Sequence, residues 1–231
     1  MLACPLAFDV APYRLSGVVV GPLLNHAAAL AALGDGVREA PYKAAPKGPI
    51  LYIKPRNTLA TTGAAVTIPA GCDELEIGAS LGLVIGATAC RVDARRALDH
   101  VAGYTLVADL SVPHDSYYRP SIRFKALDGS CLVGPRVVAR ASVADPDALA
   151  IRISLDGVRA QATGTGGMVR SAARLIADVS EFMTLRPGDI LMLGVAFGAP
   201  RGRAGQRFAV EVDGIGTLEG HLVAEDVEGM A

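Results

Sequence analysis

The stretch LEIGASLGLVIG, residues Leu75–Gly86, is the part of the sequence on which the fold depends. Glu76 is its only charged residue, and Gly78 and Ser80 place small residues inside an otherwise apolar run. The uncharged segment Ile77–Cys90 has 14 residues, fewer than the roughly 18 that a membrane-spanning helix requires. We therefore predict a strand here. The question it raises is why small residues stand at positions 78 and 80.

Strand-like runs dominate the chain from Ala64 onward. Several of them end in turn signals such as Asp-Gly or Pro-Gly-Asp, which favour reversals between strands. These runs are AAVTIP, YTLVADLS, CLVGPRVV, LAIRISLDG, DILMLGVAF and RFAVEVDGIG. Two earlier strands are predicted at residues 12–21 and at Ile50–Ile53. Many strands with few helices predict an α+β, β-rich domain with a large antiparallel or mixed sheet system.

Three helices are predicted between these strands. The first covers Leu23–Leu33 and is closed by Gly34. The second covers Ala94–His100 behind Asp93, which is a suitable N-cap residue. The third covers residues 168–183, where an apolar stripe at helical spacing indicates core packing. That stripe consists of Val169, Ala172, Leu175, Ile176, Val179 and Phe182.

The composition indicates a globular chain without a strong charge bias. Of its 231 residues, 51% are hydrophobic and 19% are charged, and the formal net charge is -1. This balance provides no general attraction to nucleic acid or to an anionic membrane. The first residues contain no basic segment and an early Asp9, and the four cysteines show no Cys-x-x-Cys spacing. We therefore expect a cytoplasmic protein without a zinc site and without nucleic-acid or membrane partners.

Three sequence blocks, in this order, carry a resemblance to a known family. They are GYTLVADLS at Gly103–Ser111, FKALDGSCLVGP at Phe124–Pro135 and SEFMTLRPGDILMLGVAFGAP at Ser180–Pro200. Together with LGLVIG before them and VEVDGIGTL after them, they resemble the fumarylacetoacetate hydrolase family. The resemblance implies a mixed β-sandwich roll with a few peripheral helices. It places an N-terminal segment at residues 1–20 and the family domain at residues 21–225.

Further segments narrow the resemblance within the family. They are LNHAAAL, PYKAAPKGPILYIKPRNT and SVPHDSYYRPSIRFKALDG. They are similar to the N-terminal half, or separate first subunit, of the bifunctional isomerase/decarboxylases of 4-hydroxyphenylacetate (homoprotocatechuate) degradation. This implies decarboxylation of 5-oxopent-3-ene-1,2,5-tricarboxylate or tautomerisation of 2-hydroxyhepta-2,4-diene-1,7-dioate. It also implies a small 2-oxo or 2-hydroxydienoic dicarboxylate as substrate, and assembly as a homo-oligomer or with a paralogous subunit.

The resemblance further implies a divalent ion, Mg2+ or Mn2+, which would stabilise the enolate formed in either reaction. In the family, two glutamates on one strand and a later aspartate hold this ion. Alignment places the glutamate positions at Gly78 and Ser80 and the aspartate at Asp109, so the implied metal site is incomplete. Glu76 is a possible replacement, because strand side chains two residues apart share a face. The alternative is that Glu76 is simply solvated at the start of the strand.

Five other residues are candidates for substrate binding or proton transfer. Lys125 matches a family lysine and could bind a substrate carboxylate or enolate oxygen. His26 and His114 are candidate acid/base groups, because imidazole exchanges protons near neutral pH. Arg119 and Arg123 could clamp the distal carboxylate of a dicarboxylate by bidentate pairing. For the lysine and the arginines, the alternative is an ordinary surface side chain.

Two classes of function stay open from the sequence. The first is an enzyme subunit that decarboxylates or isomerises its substrate with metal assistance, through Asp109, Lys125 and His26. The second is a metal-deficient structural partner of a catalytic paralogue. A related hydrolase of C–C bonds in acylpyruvates requires an activated water, and the missing glutamates disfavour it. The residues at Gly78 and Ser80 therefore separate the two classes.

Overall fold

The structure is a computed structural model, and it describes residues 6–114 and 122–225. The strands in these ranges are β1 (Ala7–Phe8), β2 (Val19–Leu23), β3 (Ile50–Lys54), β4 (Leu59–Thr61), β5 (Ala65–Ile68), β6 (Leu75–Ile85), β7 (Val101–Ser111), β8 (Cys131–Ala139), β9 (Ala150–Leu155), β10 (Val158–Gly164), β11 (Ile190–Met192), β12 (Arg201–Gly202), β13 (Arg207–Val212) and β14 (Gly216–Ala224). The α-helices are α1 (Ala27–Ala32), α2 (Ile122–Lys125) and α3 (Ala172–Ser180). Short 3-10 helices lie at Gly34–Arg38, Arg56–Thr58, Ala94–His100, Arg140–Ser142 and Thr165–Gly167. In the part of the chain that is described, no helix has the length and apolar character needed to cross a membrane.

The larger of two sheets is built around the long antiparallel pair β6 and β7. Its described strands follow the order β1-β8-β7-β6-β11-β2-β3, with β12 added to β6 and β4 added to β8. Every residue of β6 is buried except Glu76, which is partly exposed. Because both faces of this strand are covered, its sequence is apolar throughout rather than alternating. The register of β6 against β7 places Gly78 directly opposite Asp109.

The main hydrophobic core joins the two sheets and one helix. The smaller sheet has the order β10-β9-β13-β14-β5. Leu106 and Leu132 of the larger sheet belong to the same buried cluster as Ile153 and Leu218 of the smaller sheet and Ile176 of α3. Burial of this apolar surface from three layers is the main source of stability for the fold.

The second face of the larger sheet is covered by the beginning of the chain. Strand side chains alternate between faces, so Val107 belongs to a different buried cluster from its neighbour Leu106. Leu6 and Phe8 pack against that second cluster, and β1 pairs in parallel with β8. Residues on both sides of the predicted domain boundary at residue 20 therefore contribute to the same sheet.

The predicted β-rich α+β class with few helices is confirmed, and several predicted elements occur where the sequence places them. The strand expected at Ile50–Ile53 is β3. The helix expected at Ala94–His100 is present with 3-10 geometry, and the carboxylate of Asp93 accepts a hydrogen bond from the backbone nitrogen of Arg95. The strand expected at residues 12–21 begins later, as β2.

The helix predicted at residues 168–183 is shorter than expected. It begins after Ser171, whose hydroxyl accepts a hydrogen bond from the backbone nitrogen of Arg174 and caps α3. Val169 precedes the helix and Phe182 follows it, and both side chains are exposed. The core stripe therefore consists only of the buried residues inside α3, namely Ala172, Leu175, Ile176 and Val179.

The helix predicted at Leu23–Leu33 is also shorter, because a buried turn precedes α1. Leu24 has a φ of 58°, so the chain leaves β2 in a conformation that a helix does not allow. The amide of Asn25 donates hydrogen bonds to the carbonyl oxygens of Arg170 and Leu193 and accepts one from the backbone nitrogen of Arg170. These three bonds tie the turn to two distant segments of the chain and fix the start of α1.

We predict that Asn25→Ala destabilises the protein by about 2–3 kcal/mol, because it leaves buried backbone groups without partners. The measurement is the free energy of unfolding in urea. Asn57→Ala is the matched control, because the amide of Asn57 also donates two hydrogen bonds but is exposed to solvent. Equal losses for the two variants would contradict a special role for the buried turn.

Candidate active site

A buried carboxylate, that of Asp109 on β7, lies at the centre of a group of polar side chains. Lys54 Nζ lies 2.9 Å from its Oδ1, and Lys125 Nζ lies 3.3 Å from its Oδ2. The hydroxyl of Tyr52 donates a hydrogen bond to the same Oδ2. We call these four residues the Asp109 cluster. The side chains of Asp109 and Lys54 have no solvent exposure, whereas that of Lys125 is 11% exposed.

All the hydrogen-bond donors of Lys54 are used inside the protein. Its ammonium group donates to the carbonyl oxygens of Leu110 (3.2 Å) and Lys125, and to the hydroxyl of Ser130 (3.0 Å). An ammonium group has three donors, so these bonds and the ion pair with Asp109 fully enclose it. Lys54 is therefore a fixed internal charge and has no donor left for a ligand.

Lys125 is held less completely. It is the last residue of α2, and its Nζ lies 4.6 Å from the centroid of the Tyr52 ring, within the range of a cation–π contact. Among the described residues, its ammonium group donates a hydrogen bond only to Asp109. Lys125 can therefore direct donors toward a bound molecule while it remains anchored to the cluster.

The charge states in the cluster follow from its geometry. Burial raises the pKa of a carboxyl group, but the charges of Lys125 and Lys54 and the hydrogen bond from Tyr52 outweigh it, so the pKa of Asp109 lies well below its usual range. Burial, and then the charge and hydrogen bonding of Asp109, raise the pKa of Tyr52 well above its usual value. Asp109 is thus ionised and Tyr52 neutral. One carboxylate against two ammonium groups leaves a single excess positive charge.

A cavity of about 460 Å3 lies beside the cluster. The segment 195–199 forms part of its lining. Its apolar lining from β2, the turn after it, α1 and the residue that follows α1 includes Pro22, Leu23, Leu24, Ala29, Ala32 and Leu33. Among the described residues, its polar lining consists of Tyr52, Glu76, His114, Lys125 and Arg201. A cavity that combines apolar side chains with a few convergent polar groups is typical of a small-molecule site.

The cavity brings together three residues that the sequence singled out, Lys125, His114 and Glu76. His114 Nδ1 lies 3.0 Å from the carbonyl oxygen of Val112. The imidazole ring stacks on Phe124, with ring centroids 5.4 Å apart. These contacts orient the ring at the cavity, where proton exchange with a ligand is geometrically possible.

Glu76 lines the same cavity, but it is part of an ion-pair group at the sheet edge. Its carboxylate lies 3.5 Å from a guanidinium nitrogen of Arg201. The carboxylate of Glu74 lies 3.0 Å from Arg201 and 3.8 Å from Arg203. Two carboxylates and two guanidinium groups balance each other, so this edge adds no net charge to the cavity.

The other candidates lie elsewhere or outside the described residues. His26 precedes α1 and is absent from the described lining of the cavity; burial lowers its pKa. Its Nδ1 is buried without a hydrogen-bond partner among the residues that the structure describes. Arg123 is exposed on α2 and is not part of the described lining. Arg119 lies outside the described residues.

The glycine at position 78 is required by close packing. A Cβ atom built on Gly78 would lie 2.8 Å from the backbone oxygen of Asp109 and 2.9 Å from both methyl groups of Val195. Distances below 3.0 Å are too short for a Cβ contact. The side chain of Val195 therefore fills the space that a longer residue at position 78 would need.

Ser80 has a related structural role. It is buried, and its hydroxyl donates a hydrogen bond to the carbonyl oxygen of Leu81 and accepts one, at 3.0 Å, from the backbone nitrogen of Gly194. Residues 78 and 80 thus both contact the segment Leu193–Ala196, one by packing and the other by a hydrogen bond. The two small residues hold this segment against β6.

Comparison with known families identifies the chain. The family model described as fumarylacetoacetate (FAA) hydrolase, C-terminal, matches residues 18–223. This chain belongs to the fumarylacetoacetate hydrolase family. The resemblance seen in the sequence blocks is therefore confirmed.

Two relatives within the family have the same described activity. The chain is 37% identical, over 212 residues, to the 4-hydroxyphenylacetate degradation bifunctional isomerase/decarboxylase of Salmonella dublin. It is 36% identical, over 211 residues, to the protein of the same name from Escherichia coli. These matches cover 92% and 91% of this chain and 48% of each relative. The chain therefore spans about half the length of these relatives.

Solved structures from the same family share the fold. The 5-carboxymethyl-2-hydroxymuconate delta-isomerase of Mycobacterium smegmatis is 27% identical with a TM-score of 0.76, over 94% of this chain and 82% of that one. The 2-hydroxyhepta-2,4-diene-1,7-dioate isomerase of Mycobacterium marinum is 26% identical with a TM-score of 0.75, over 94% of this chain and 77% of that one. The predicted fold type is thereby confirmed.

The residues present do not fit the divalent ion that the fumarylacetoacetate hydrolase family implies. In the described part of the chain, no three His, Cys, Asp or Glu side chains come together in a group that could hold an ion. Asp109, the aligned aspartate, already forms ion pairs with two ammonium groups and accepts a hydrogen bond from a phenol, although its Oδ1 accepts no hydrogen bond among the described residues. Glu76 pairs with Arg201, and Val195 occupies the space over Gly78. Hard cations need several oxygen ligands, and this donor set does not supply them.

Sequence reasoning missed Tyr52 and Lys54, which complete the cluster. Both lie on β3, two residues apart, and both are buried, whereas Ile53 between them is 57% exposed. The strand therefore directs its polar side chains inward and an apolar side chain outward. The available signal was the spacing Tyr-x-Lys in a short strand just before a proline. In a strand, this spacing places both side chains on one face.

We predict that Asp109→Asn lowers the stability of the protein at neutral pH by about 3–5 kcal/mol, because two buried ammonium groups lose their counter-ion. The pKa of Asp109 is lowered in the folded state. Its contribution is therefore fully present above the unfolded-state pKa of about 3.9 and is lost as the pH falls toward the folded-state pKa. The difference between wild type and variant should shrink below about pH 4.

Urea unfolding measured from neutral to acidic pH tests this dependence. Asp35→Asn is the control, because Asp35 is exposed on a short 3-10 helix and should show no such pH-dependent difference. A gap between wild type and Asp109→Asn that stays constant into acid would contradict an ionised, stabilising Asp109.

We also predict that Gly78→Ala destabilises the protein by about 1–3 kcal/mol through overpacking. Val195→Ala in the same chain should recover part of this loss, because it removes one of the two contacts, and the coupling should appear in a double-mutant cycle. Gly36→Ala is the control, since a Cβ there meets nothing within 4 Å. Strictly additive effects at positions 78 and 195 would show that Val195 does not occupy this space.

Proposed function

We propose that the chain is an enzyme subunit of the isomerase/decarboxylase type found in 4-hydroxyphenylacetate degradation. Its substrate would be a small 2-oxo or 2-hydroxydienoic dicarboxylate. The observation that carries this proposal is the ammonium group of Lys125, which lines a cavity of about 460 Å3 and is bonded to the protein only through Asp109 among the described residues. A fixed cation at an apolar cavity suits a carboxylate or an enolate oxygen.

Tautomerisation is the reaction that the cavity supports best. It removes a proton from an enol oxygen and adds one to a carbon of the conjugated chain, so the composition of the substrate does not change. Such a reaction requires a cation beside the oxygen and a group that exchanges protons. Lys125 would supply the first and His114, which lines the same cavity, would supply the second. Decarboxylation of the tricarboxylate would generate a similar enolate beside the same ammonium group.

A second candidate function is that of a structural partner for a catalytic paralogue. It is favoured by the packing of Val195 over Gly78 and by the hydrogen bond between Ser80 and Gly194. The chain also spans about half the length of its isomerase/decarboxylase relatives, which leaves room for a second half. In this case the purified chain would be inactive alone and would contribute only to assembly.

An activity assay separates these functions. We expect the purified chain to convert 2-hydroxyhepta-2,4-diene-1,7-dioate to its oxo tautomer, followed by the loss of dienol absorbance. Lys125→Met should lower the rate about 100- to 1,000-fold, because it removes the charge beside the developing oxyanion. Lys47→Met, at an exposed lysine, is the matched control and should retain the wild-type rate.

The same assay is repeated with a paralogous subunit that has the glutamates at the positions of Gly78 and Ser80. Activity that appears only in the mixture, and that Lys125→Met leaves unchanged, would favour the structural partner. Release of carbon dioxide from 5-oxopent-3-ene-1,2,5-tricarboxylate distinguishes decarboxylation from isomerisation. A folded Lys125→Met variant with the wild-type rate would contradict catalysis at this cavity.

A further inference from the structure

The Asp109 cluster has one more positive charge than negative, and the excess lies at the cavity. Lys54 is completely enclosed, because its three donors bind Leu110, Lys125 and Ser130. Its ammonium alone matches the charge of Asp109. The second ammonium, on Lys125, is therefore the uncompensated one, and it lines the cavity.

No described charge around the cavity neutralises this excess. The carboxylates of Glu74 and Glu76 form ion pairs with the guanidinium groups of Arg201 and Arg203. Burial, and then the neighbouring ionised Asp109, raise the pKa of Tyr52, so Tyr52 holds its proton. A partly buried charge in apolar surroundings is unfavourable unless an opposite charge accompanies it. A ligand that brings one negative charge to Lys125 would meet that requirement.

The described residues beside Lys125 do not supply the oxygen ligands that a divalent ion between ligand and protein would need. Asp109, the aligned ligand position that remains, has both oxygens in contact with ammonium groups. Val195 closes the space over Gly78. An added divalent cation would stand beside two ammonium groups with one carboxylate to offset three cations, and like charges at such short range repel strongly.

We propose that the cavity binds the carboxylate or enolate end of its ligand directly on the Lys125 ammonium, without a bridging divalent metal ion. The class of ligand, a small 2-oxo dicarboxylate, rests on the proposed function. The mode of binding rests on the charges and packing of the cluster. Lys54 and Asp109 act as positioning residues, because they hold Lys125 in place without facing the ligand.

Calorimetric titration of the full chain with 2-oxoadipate tests the proposal directly and does not depend on turnover. The protein is first treated with EDTA. We expect one ligand per chain, the same dissociation constant with and without added Mg2+ or Mn2+, and weaker binding as salt is added. A neutral diester of the same acid should not bind. Binding that requires Mg2+ or Mn2+, or no binding of 2-oxoadipate at all, would overturn the proposal.

Variants identify the group responsible. Lys125→Met should weaken binding about 10- to 100-fold, as expected for loss of one hydrogen bond to a charged group. Lys125→Arg keeps the charge and should retain more of the affinity, and Lys47→Met should bind as the wild type does. Circular dichroism establishes that each variant is folded. Equal affinity in the Lys125→Met and Lys47→Met variants would also overturn the proposal.

The outcome is separable from that of the proposed function. Metal-independent binding that Lys125→Met weakens, in a chain that converts no substrate, would retain the binding mode and refute the enzymatic function. Conversion of substrate that is abolished by EDTA and restored by Mn2+ would retain the enzymatic function and refute the binding mode.

Discussion

A carboxylate buried in the middle of a sheet must be neutralised by other parts of the chain, and Asp109 brings together three separate elements. β7 supplies the carboxylate, β3 supplies Tyr52 and Lys54, and α2 supplies Lys125. Ser130, just before β8, completes the enclosure of Lys54. Removing Asp109 would leave two ammonium groups without their counter-ion, which is among the most destabilising changes in a protein interior. The position of β3 within the larger sheet, and that of α2 beside it, are thus linked to the site itself.

The two small residues of β6 and the cations of the cluster form one consistent arrangement. In the family, carboxylates at positions 78 and 80 would need positive charge nearby, which a metal ion provides. Here Val195 packs over Gly78, and Ser80 binds the backbone of Gly194. With no carboxylates at those positions, the two lysines more than offset the charge of Asp109. The small residues at positions 78 and 80 thus determine both how the 193–196 segment packs against β6 and how little negative charge lies near Asp109.

The sequence allows the fold class to be predicted much better than the composition of the site. Sequence blocks such as GYTLVADLS occur in the order typical of the family. The family and its fold class can therefore be recognised from local sequence. Tyr52 and Lys54 escaped notice because β3 is inverted, with Ile53 exposed between two buried polar side chains. The contact of Val195 with Gly78 joins residues more than 100 positions apart in the sequence, and no local pattern encodes it. Helix ends were misplaced for a related reason, since Asn25 is held by distant partners.

The second lysine is the feature that a purely structural role explains least well. A scaffold needs a neutral interior, and one ammonium would neutralise Asp109, as Lys54 already does at 2.9 Å. Lys125 adds a charge that the interior does not require, at a side chain that is 11% exposed and lines the cavity. Partial burial of such a charge is unfavourable by itself. It becomes favourable when an anion enters the cavity, so the charge balance of the cluster suits a carboxylate-bearing ligand even though the described residues contain no group that could hold a metal ion.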